Sequence, residues 1–428
     1  MATVLAGASF GAAMIAAGFS NPAVVIAQLR FSNWHMMQAF LAATASSIVY
    51  YAVSDRAGWA KLTPRASAPL GLLPTTYDGN LLGGALLGAG MALSGSCPGT
   101  LFAQMAAGVH TGFYALAGAL AGGVLWTGVL SPVVARRRKA PVTVTVNEYL
   151  GVSKPAAMLL YELVFSGVLV ATARYAPARF PGTRLPGALG GVLISLSQLL
   201  SIATRGSMIG ISGSYAELGG LLWATLTGDK AATPKGYPNV LFAVSAGAGA
   251  WALAALVPAL VEAPAYEVAP AQAVLGGALM VLGARMAGGC TSGHGISGIS
   301  LLSTSSLITI ATTFVTGFAV ANMIVKTLRL AAALLGRHLN LNLHLVLHER
   351  RQDHGRRRAH RAEIPLQHRP RRGKVGAVRQ DVAHAHDVGH AGAGVGERLV
   401  NVGEGLLGLR RDVGGDLARG IVVPGISL

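Results

Sequence analysis

The chain has two cysteines, and both stand in the same company: "SGSCPGT" around Cys97 and "GGCTSGHGISG" around Cys290. A buried cysteine ordinarily packs as a small hydrophobe, and that reading suits either one alone. The pair does not look accidental. At a constant offset of 193, Leu82-Gly83-Gly84-Ala85-Leu86 coincides with Leu275-Gly276-Gly277-Ala278-Leu279. Gly90 then falls on Gly283, Gly95 on Gly288 and Cys97 on Cys290. In the first motif Pro98 and Gly99 follow the thiol. Proline suits the first position of a helix, so the spacing predicts a helix that breaks at Gly95–Ser96 and a half-helix that starts just past Cys97. Free N–H groups and the positive end of the dipole at such a start favour an anion. Ser96, Thr100, Thr291, Ser292 and Gly293 add hydroxyl and backbone donors. His294 could tune the Cys290 thiol, shuttle a proton or make a structural hydrogen bond.

A metal site is the weaker reading. Cys290 and His294 are four residues apart, and Cys97 and His110 could join them as soft ligands. Ahead of the tail, however, the only histidines are His35, His110 and His294, with no CxxC or HxxxH pair. No metal and no cofactor are expected. Arg285, five residues before Cys290, is costly inside a bilayer and so suggests a function, although snorkelling to the interface would also explain it. Glu217, in "RGSMIGISGSYAELGG", belongs to a second Gly/Ser-rich stretch that could dip inward; Glu162 and Arg205 call for the same caution.

The elements that must position these groups are membrane helices. Of 428 residues, 52% are hydrophobic and 12% charged, against about 25% charged in soluble domains. Apolar runs recur at Met36–Val53, Asn80–Leu93, Gly112–Ala135, Ala156–Ala173, Leu185–Ala203, Val240–Val261, Ala269–Leu282 and Leu307–Val325. A spanning helix needs about 20 such residues. The fold class is therefore all-α, a polytopic integral membrane protein, with two pseudo-symmetric repeats whose broken or re-entrant helices carry the cysteine motifs. "MATVLAGASFGAAMIAAGFS" reads as a first membrane helix, because it lacks the basic start of a cleaved leader. Gly84/Gly88 and Gly118/Gly122 have the spacing of helix-packing sites.

The expected organisation is a first membrane repeat at 1–134, a basic loop at 135–154, a second repeat at 155–328 and a tail at 329–428. The tail holds 17 Lys/Arg, 9 Asp/Glu and 9 of the 12 histidines and lacks periodicity, so it reads as disordered and solvated. A lipid-headgroup arm is the next reading. A nucleic-acid arm is not expected, since the tail has no aromatic residue to stack on bases. Loop charge suggests inverted repeats. Arg56, Lys61 and Arg65 precede the first cysteine helix, whereas Glu262 and Glu267 precede the second, and basic loops stay cytoplasmic. Arg136, Arg137, Arg138 and Lys139 agree with this; Arg174, Arg179 and Arg184 do not.

"SGSCPGT" and "GARMAGGCTSGHGISG" resemble the signature motifs of the YeeE/YedE sulphur-transport family. "AAGFSNPAVVIAQLRFSNWHMMQAFLAA" and "SLSQLLSIATRGSMIGISGSYAELGG" resemble the segments that open its two halves, so the likeness covers residues 1–328. It implies thiosulfate uptake at the plasma membrane, with Cys97 and Cys290 making passing thiol contacts to the ion's sulfur. The family's third cysteine, in the first membrane segment, has no counterpart here; Ser20 and Asn21 are the nearest polar residues. The expected partners are thus thiosulfate or a related small sulfur anion and the lipid bilayer, and the oligomeric state stays open. The alternatives are a membrane sulfurtransferase or sulfur/selenium relay, which needs an activated thiolate, a soft-metal transporter and a structural scaffold.

Overall fold

Glycine sets the distance between the two cysteine-bearing helices. Asp78–Ser94 (α4) and Pro270–Met286 (α13) cross antiparallel with their backbones touching. A Cβ on Gly83 would lie 2.6 Å from the Gly283 carbonyl, and one on Gly90 2.5 Å from that of Gly276. The contact is reciprocal: Gly276 meets the Gly90 carbonyl at 2.7 Å and Gly283 meets that of Gly83 at 2.5 Å. Each helix has 17 residues, about 25 Å of rise, which is short of a full bilayer core.

A computed structural model describes residues 1–327, apart from 177–178 and 263–264, together with Leu330 and a two-residue strand pair, Val422–Val423 with Ile426–Ser427. The rest of the tail expected at 329–428 lies outside the described residues. Residues 1–324 form one packed unit of helices. Ala2–Ala16 (α1) and Pro22–Leu29 (α2) lead into His35–Ala57 (α3). After α4 come Thr100–Ala106 (α5) and His110–Leu125 (α6), which runs through a π-helical turn at Trp126–Leu130 into Ser131–Ala135 (α7). Val146–Leu150 (α8) and Lys154–Tyr175 (α9) connect to the later set: Gly187–Arg205 (α10), Gly213–Thr227 (α11), Pro238–Leu256 (α12), α13, a π-helical segment Ser292–Ile299, and Thr304–Thr327 (α14). Six of these stretches are long and apolar enough to cross a membrane: α3, His110–Ala135, α9, α10, α12 and α14. This is a multi-pass, all-helical arrangement. The opening run is not one continuous helix: α1 stops at Ala16, Gly18 takes φ +76°, and Asn21 caps α2 by accepting from the Ala23 N–H.

Small residues set the other helix contacts as well. α1 lies on α12, with Gly7 on Phe242 and Ser245 and Gly11 on Ala246. α10 lies on α3, with Gly187 on His35 and Gly191 on Ala39. α6 meets α13 through Gly118 and Gly122, and α14 meets α4 where Gly84 and Gly88 touch the carbonyls of Thr309 and Thr313. α9 stands outermost, with Ala157 its one buried residue; its exposed Leu159, Leu160, Leu163 and Val164 suit a lipid-facing helix.

The loops gather on two faces. On one, residues 58–77 meet residues 136–154: Ser67 and Val142 exchange hydrogen bonds, Gly71 touches Arg137, and Lys154 pairs with Asp55 at 3.0 Å. Asp78 organises this loop by accepting from the N–H groups of Leu70, Leu72 and Leu73. On the other face, Arg184 reaches Glu262 at 3.6 Å, and Glu267 caps α6 by accepting from the His110 and Thr111 N–H groups and the Thr111 hydroxyl. Partial burial pushes the Glu267 carboxyl up, but these hydrogen bonds outweigh it and hold the group below its ordinary range. Folding therefore favours the ionised form. Its contribution is complete above the unfolded carboxyl pKa and is lost as pH falls through the lower, folded value.

Two outcomes are expected. Gly90→Leu forces a side chain into the Met280 backbone, 2.3 Å from the would-be Cβ; the detergent-solubilised protein should lose at least about 2 kcal/mol of stability in a thermal melt. Glu267→Gln should cost under about 1 kcal/mol near neutral pH, the group being half-exposed. It should also flatten the acid limb of the melting-temperature profile.

Candidate functional site

α4 ends at Ser94 because Gly95 turns left-handed at φ +60°. The chain then turns through Ser96, Cys97 and Pro98, the Leu101 N–H reaching back to the Cys97 carbonyl at 3.2 Å, and the half-helix resumes at Thr100 with Gly99 as its cap. Pro98 therefore precedes the half-helix instead of occupying its first position. The reason lies in where the freed backbone groups go. The Cys97 N–H donates to Thr100 Oγ1 at 2.7 Å, and the Pro98 carbonyl accepts from the Tyr215 hydroxyl at 2.9 Å. Ser96 donates to Gln104 Oε1 at 2.6 Å, and Gln104 Nε2 returns to the Gly95 carbonyl at 2.9 Å. The Cys97 sulfur receives the Thr100 N–H at 3.3 Å, and the Gly99 N–H approaches it as well.

The second motif is built differently. α13 ends at Met286, Gly288 takes φ +79°, and the chain reopens as the wide π-helical turn that starts at Ser292. The Cys290 sulfur and Ser292 Oγ lie 3.3 Å apart, with the Gly293 N–H and the Ser212 side chain close by. His294 is fully engaged: Nε2 meets the Ala287 carbonyl at 3.0 Å and Nδ1 meets Ser306 Oγ at 2.9 Å. The carbonyl can only accept, so Nε2 carries the proton and Nδ1 accepts. No ring nitrogen is left to serve as a base for Cys290.

One apolar cavity of about 50 Å³ joins the two motifs. Cys97 and Gly99 line it from the first, Thr291 and Ser292 from the second, and Phe10, Met14, Phe19, Met36 and Phe40 close it. Both sulfurs are buried, at 5% and 0% exposure, so neither faces lipid. Towards the Glu262–Glu267 face, Phe19 gives way to Ser20, which with Asn21 lines an open vestibule of about 320 Å³. Asn21 also accepts from the Tyr266 N–H. At the other end Arg65, carried by the loop of residues 58–77, reaches the Cys290 turn. Its Nε donates to the Gly293 carbonyl at 2.7 Å and Nη1 to that of Gly288 at 3.1 Å.

Family comparison fits this arrangement. The sulphur transport family matches residues 16–320. The chain belongs to that family. Two curated relatives, both named probable transporters, come from Xylella fastidiosa strains 9a5c and Temecula1. They are 31% and 32% identical over 136 residues, which is 31% of this chain and 89% of each relative.

The remaining sequence candidates scatter. Glu217 caps α12, accepting from the N–H groups of Asn239 and Val240. Arg285 lies at the end of α13 within electrostatic reach of Cys290. Arg205 stacks over Phe242 at 5.2 Å, and Glu162 sits on the outermost helix. His110 pairs with Glu267 at 3.4 Å on the vestibule, while the His35 Nε2–H donates to the Ala17 carbonyl at 2.9 Å. Among the described residues no cluster of three His, Cys, Asp or Glu side chains could hold a metal ion. Sequence reading missed Tyr215, Ser212 and Gln104 as supports of the thiol turns, and noted Arg65 only as a loop charge. Ser212 and Tyr215 lie in the second Gly/Ser-rich stretch, which was the available signal.

Tyr215→Phe should leave the buried Pro98 carbonyl unpaired. It should cost about 1–3 kcal/mol of stability and speed alkylation of Cys97 by N-ethylmaleimide, with Cys290→Ala as the background.

Proposed function

We propose that this family member carries a small sulfur-containing anion, thiosulfate, from the vestibule to the basic face, and that Cys97 and Cys290 contact it in turn. The observation that carries this reading is the single cavity lined by Cys97 of one motif and by Thr291 and Ser292 of the other. Thiosulfate has one soft sulfur and three hydrogen-bonding oxygens. The sulfur suits the Phe/Met/thiol wall, and the oxygens suit the Ser, Thr and backbone N–H groups at its edge. A thiol donates weakly, so it can hold the ion without trapping it, and a conduction path needs sites the ion can leave.

The helix contacts support two inverted repeats. If α1, α3, α4, α5 and α6 are paired with α10, α12, α13, the Ser292–Ile299 segment and α14, every cross-contact has its mirror. α1 packs on α12 and α10 on α3; α6 packs on α13 and α14 on α4. α4 and α13 meet each other through equivalent glycines, running opposite ways. Relatives only about one-third as long as this chain fit a fold whose unit is one such half. Arg56, Lys61, Arg65 and Arg136 to Lys139 gather on one face, which supports a cytoplasmic side there and the vestibule as the outer entrance. The cell's plasma membrane is the corresponding location.

The test is uptake of radiolabelled thiosulfate into proteoliposomes. Cys97→Ala and Cys290→Ala should each cut the initial rate at least about ten-fold while leaving the melting temperature within a few degrees. Wild-type-like uptake in both variants sinks the reading. So does a sulfur-loaded Cys97 or Cys290 found by mass spectrometry in place of intact labelled ion in the lumen, which would favour a sulfurtransferase.

A further inference from the structure

The two thiols sit in unlike electrostatic surroundings. Around Cys97 the nearest polar partners are neutral: Thr100, Ser96, Gln104 and the Tyr215 hydroxyl. Arg65, by contrast, brackets Cys290, tied to the carbonyls of Gly288 and Gly293 on either side of it. The Arg65 carbonyl is itself anchored by the hydroxyls of Ser303 and Ser305, at 2.7 and 2.9 Å. The motif's glycines make room for the guanidinium. A Cβ on Gly289 would lie 3.1 Å from Nη1, one on Gly293 2.9 Å from Nη2, and one on Gly298 3.2 Å from Cδ.

Among the described residues no carboxylate pairs with this cation: the ion pairs are His110–Glu267, Lys154–Asp55 and Arg184–Glu262, and none involves Arg65 or Arg285. Arg285, in the last turn of α13 five residues before Cys290, adds a second guanidinium, and its buried Nε has no hydrogen-bond partner. A half-buried arginine without a carboxylate is expensive. Two of them beside one thiol make a place that an anion would stabilise. A guanidinium has five N–H donors, and the two carbonyls occupy only the Nε and Nη1 sides of Arg65.

We infer that Arg65, backed by Arg285, is the charge-reading station of the route, drawing a doubly charged anion off the thiols at Cys290 towards the basic face. The inference rests on the transport reading above, since it assigns the second step of the same path. Division of labour follows. The Cys97 cavity discriminates by softness and the Cys290 turn by charge. An apolar, thiol-lined cavity alone would favour soft monoanions, since a dianion loses most by leaving water; the arginines reverse that order.

Two measurements test it. In proteoliposomes, Arg65→Gln should raise the KM for thiosulfate about ten-fold. Inhibition by the methanethiosulfonate anion, which keeps the soft sulfur with one charge, should change only about three-fold, half the dianion's effect in free energy. Arg65→Lys should recover part of the thiosulfate affinity. An equal loss for both anions would mean that Arg65 only holds the turn together, and no loss for either would mean that it does nothing; each result overturns the inference. The second measurement needs no transport. In the Cys97→Ala background, the rate of Cys290 alkylation by iodoacetate relative to iodoacetamide should fall about three-fold on Arg65→Gln, the single-charge share of the effect on thiosulfate. An unchanged ratio overturns the inference. If the ratio falls while the wild type fails to take up thiosulfate, the transport reading fails and the cationic station stands.

Discussion

A helix that stops inside a packed core leaves carbonyls and N–H groups that water cannot reach, and each costs several kcal/mol unless the protein supplies a partner. The architecture follows from meeting that demand twice, at Gly95 and at Gly288. At the first break the partners are neutral and local, with Thr100, Gln104 and Ser96 folding back on the turn and Tyr215 reaching in from α11. At the second one partner comes from far along the chain, Arg65 bonding the carbonyls of Gly288 and Gly293, and a nearby one, His294, bonds that of Ala287. The loops and short helices that look incidental in the sequence are the sources of those partners.

Close backbone approach holds the two breaks in register. With α4 and α13 touching at Gly83–Gly283 and Gly90–Gly276, neither helix can slide past the other without driving a side chain into a carbonyl. The turns that follow them are therefore displaced in opposite directions from one contact, Cys97 towards the vestibule and Cys290 towards the basic loops. Larger residues at these positions would separate the helices and with them the two walls of the shared cavity.

Much of this was legible in the sequence. The duplicated run around each cysteine, the apolar segments that became α3, α6, α9, α10, α12 and α14, and the glycine contacts at Gly84, Gly88, Gly118 and Gly122 all follow from local pattern. The site was legible only where chemistry and pattern coincide in the same few residues. Arg65 escaped because a basic residue in a 20-residue loop reads as a solvated, topology-setting charge; its role depends on Ser303 and Ser305, more than two hundred residues later, fixing its backbone. Glu217 and Glu267 gave the converse signal. Each looked like a buried functional acid or an outer charge, yet both are spent on the open N-terminus of a neighbouring helix, where a carboxylate satisfies orphan N–H groups. His294 lies beside the thiol in sequence but is turned to the Ala287 carbonyl and Ser306.

The two cysteine motifs thus differ in the feature that matters most to an anion. Both copies keep a thiol, a hydroxyl within reach of the sulfur, and a glycine that ends the helix. Only the second has arginines at its turn, because Arg285 has Ala92 at the equivalent position of the first and Arg65 enters from one face alone. In the proposed route a symmetric pair of thiols would bind the ion equally at both ends and give it no preferred place. Placing the charge at one end separates recognition of a soft sulfur from stabilisation of a double charge. It also lets the first site stay weak, since the ion need not be held there by more than thiol, hydroxyl and apolar contact before the second site compensates its desolvation.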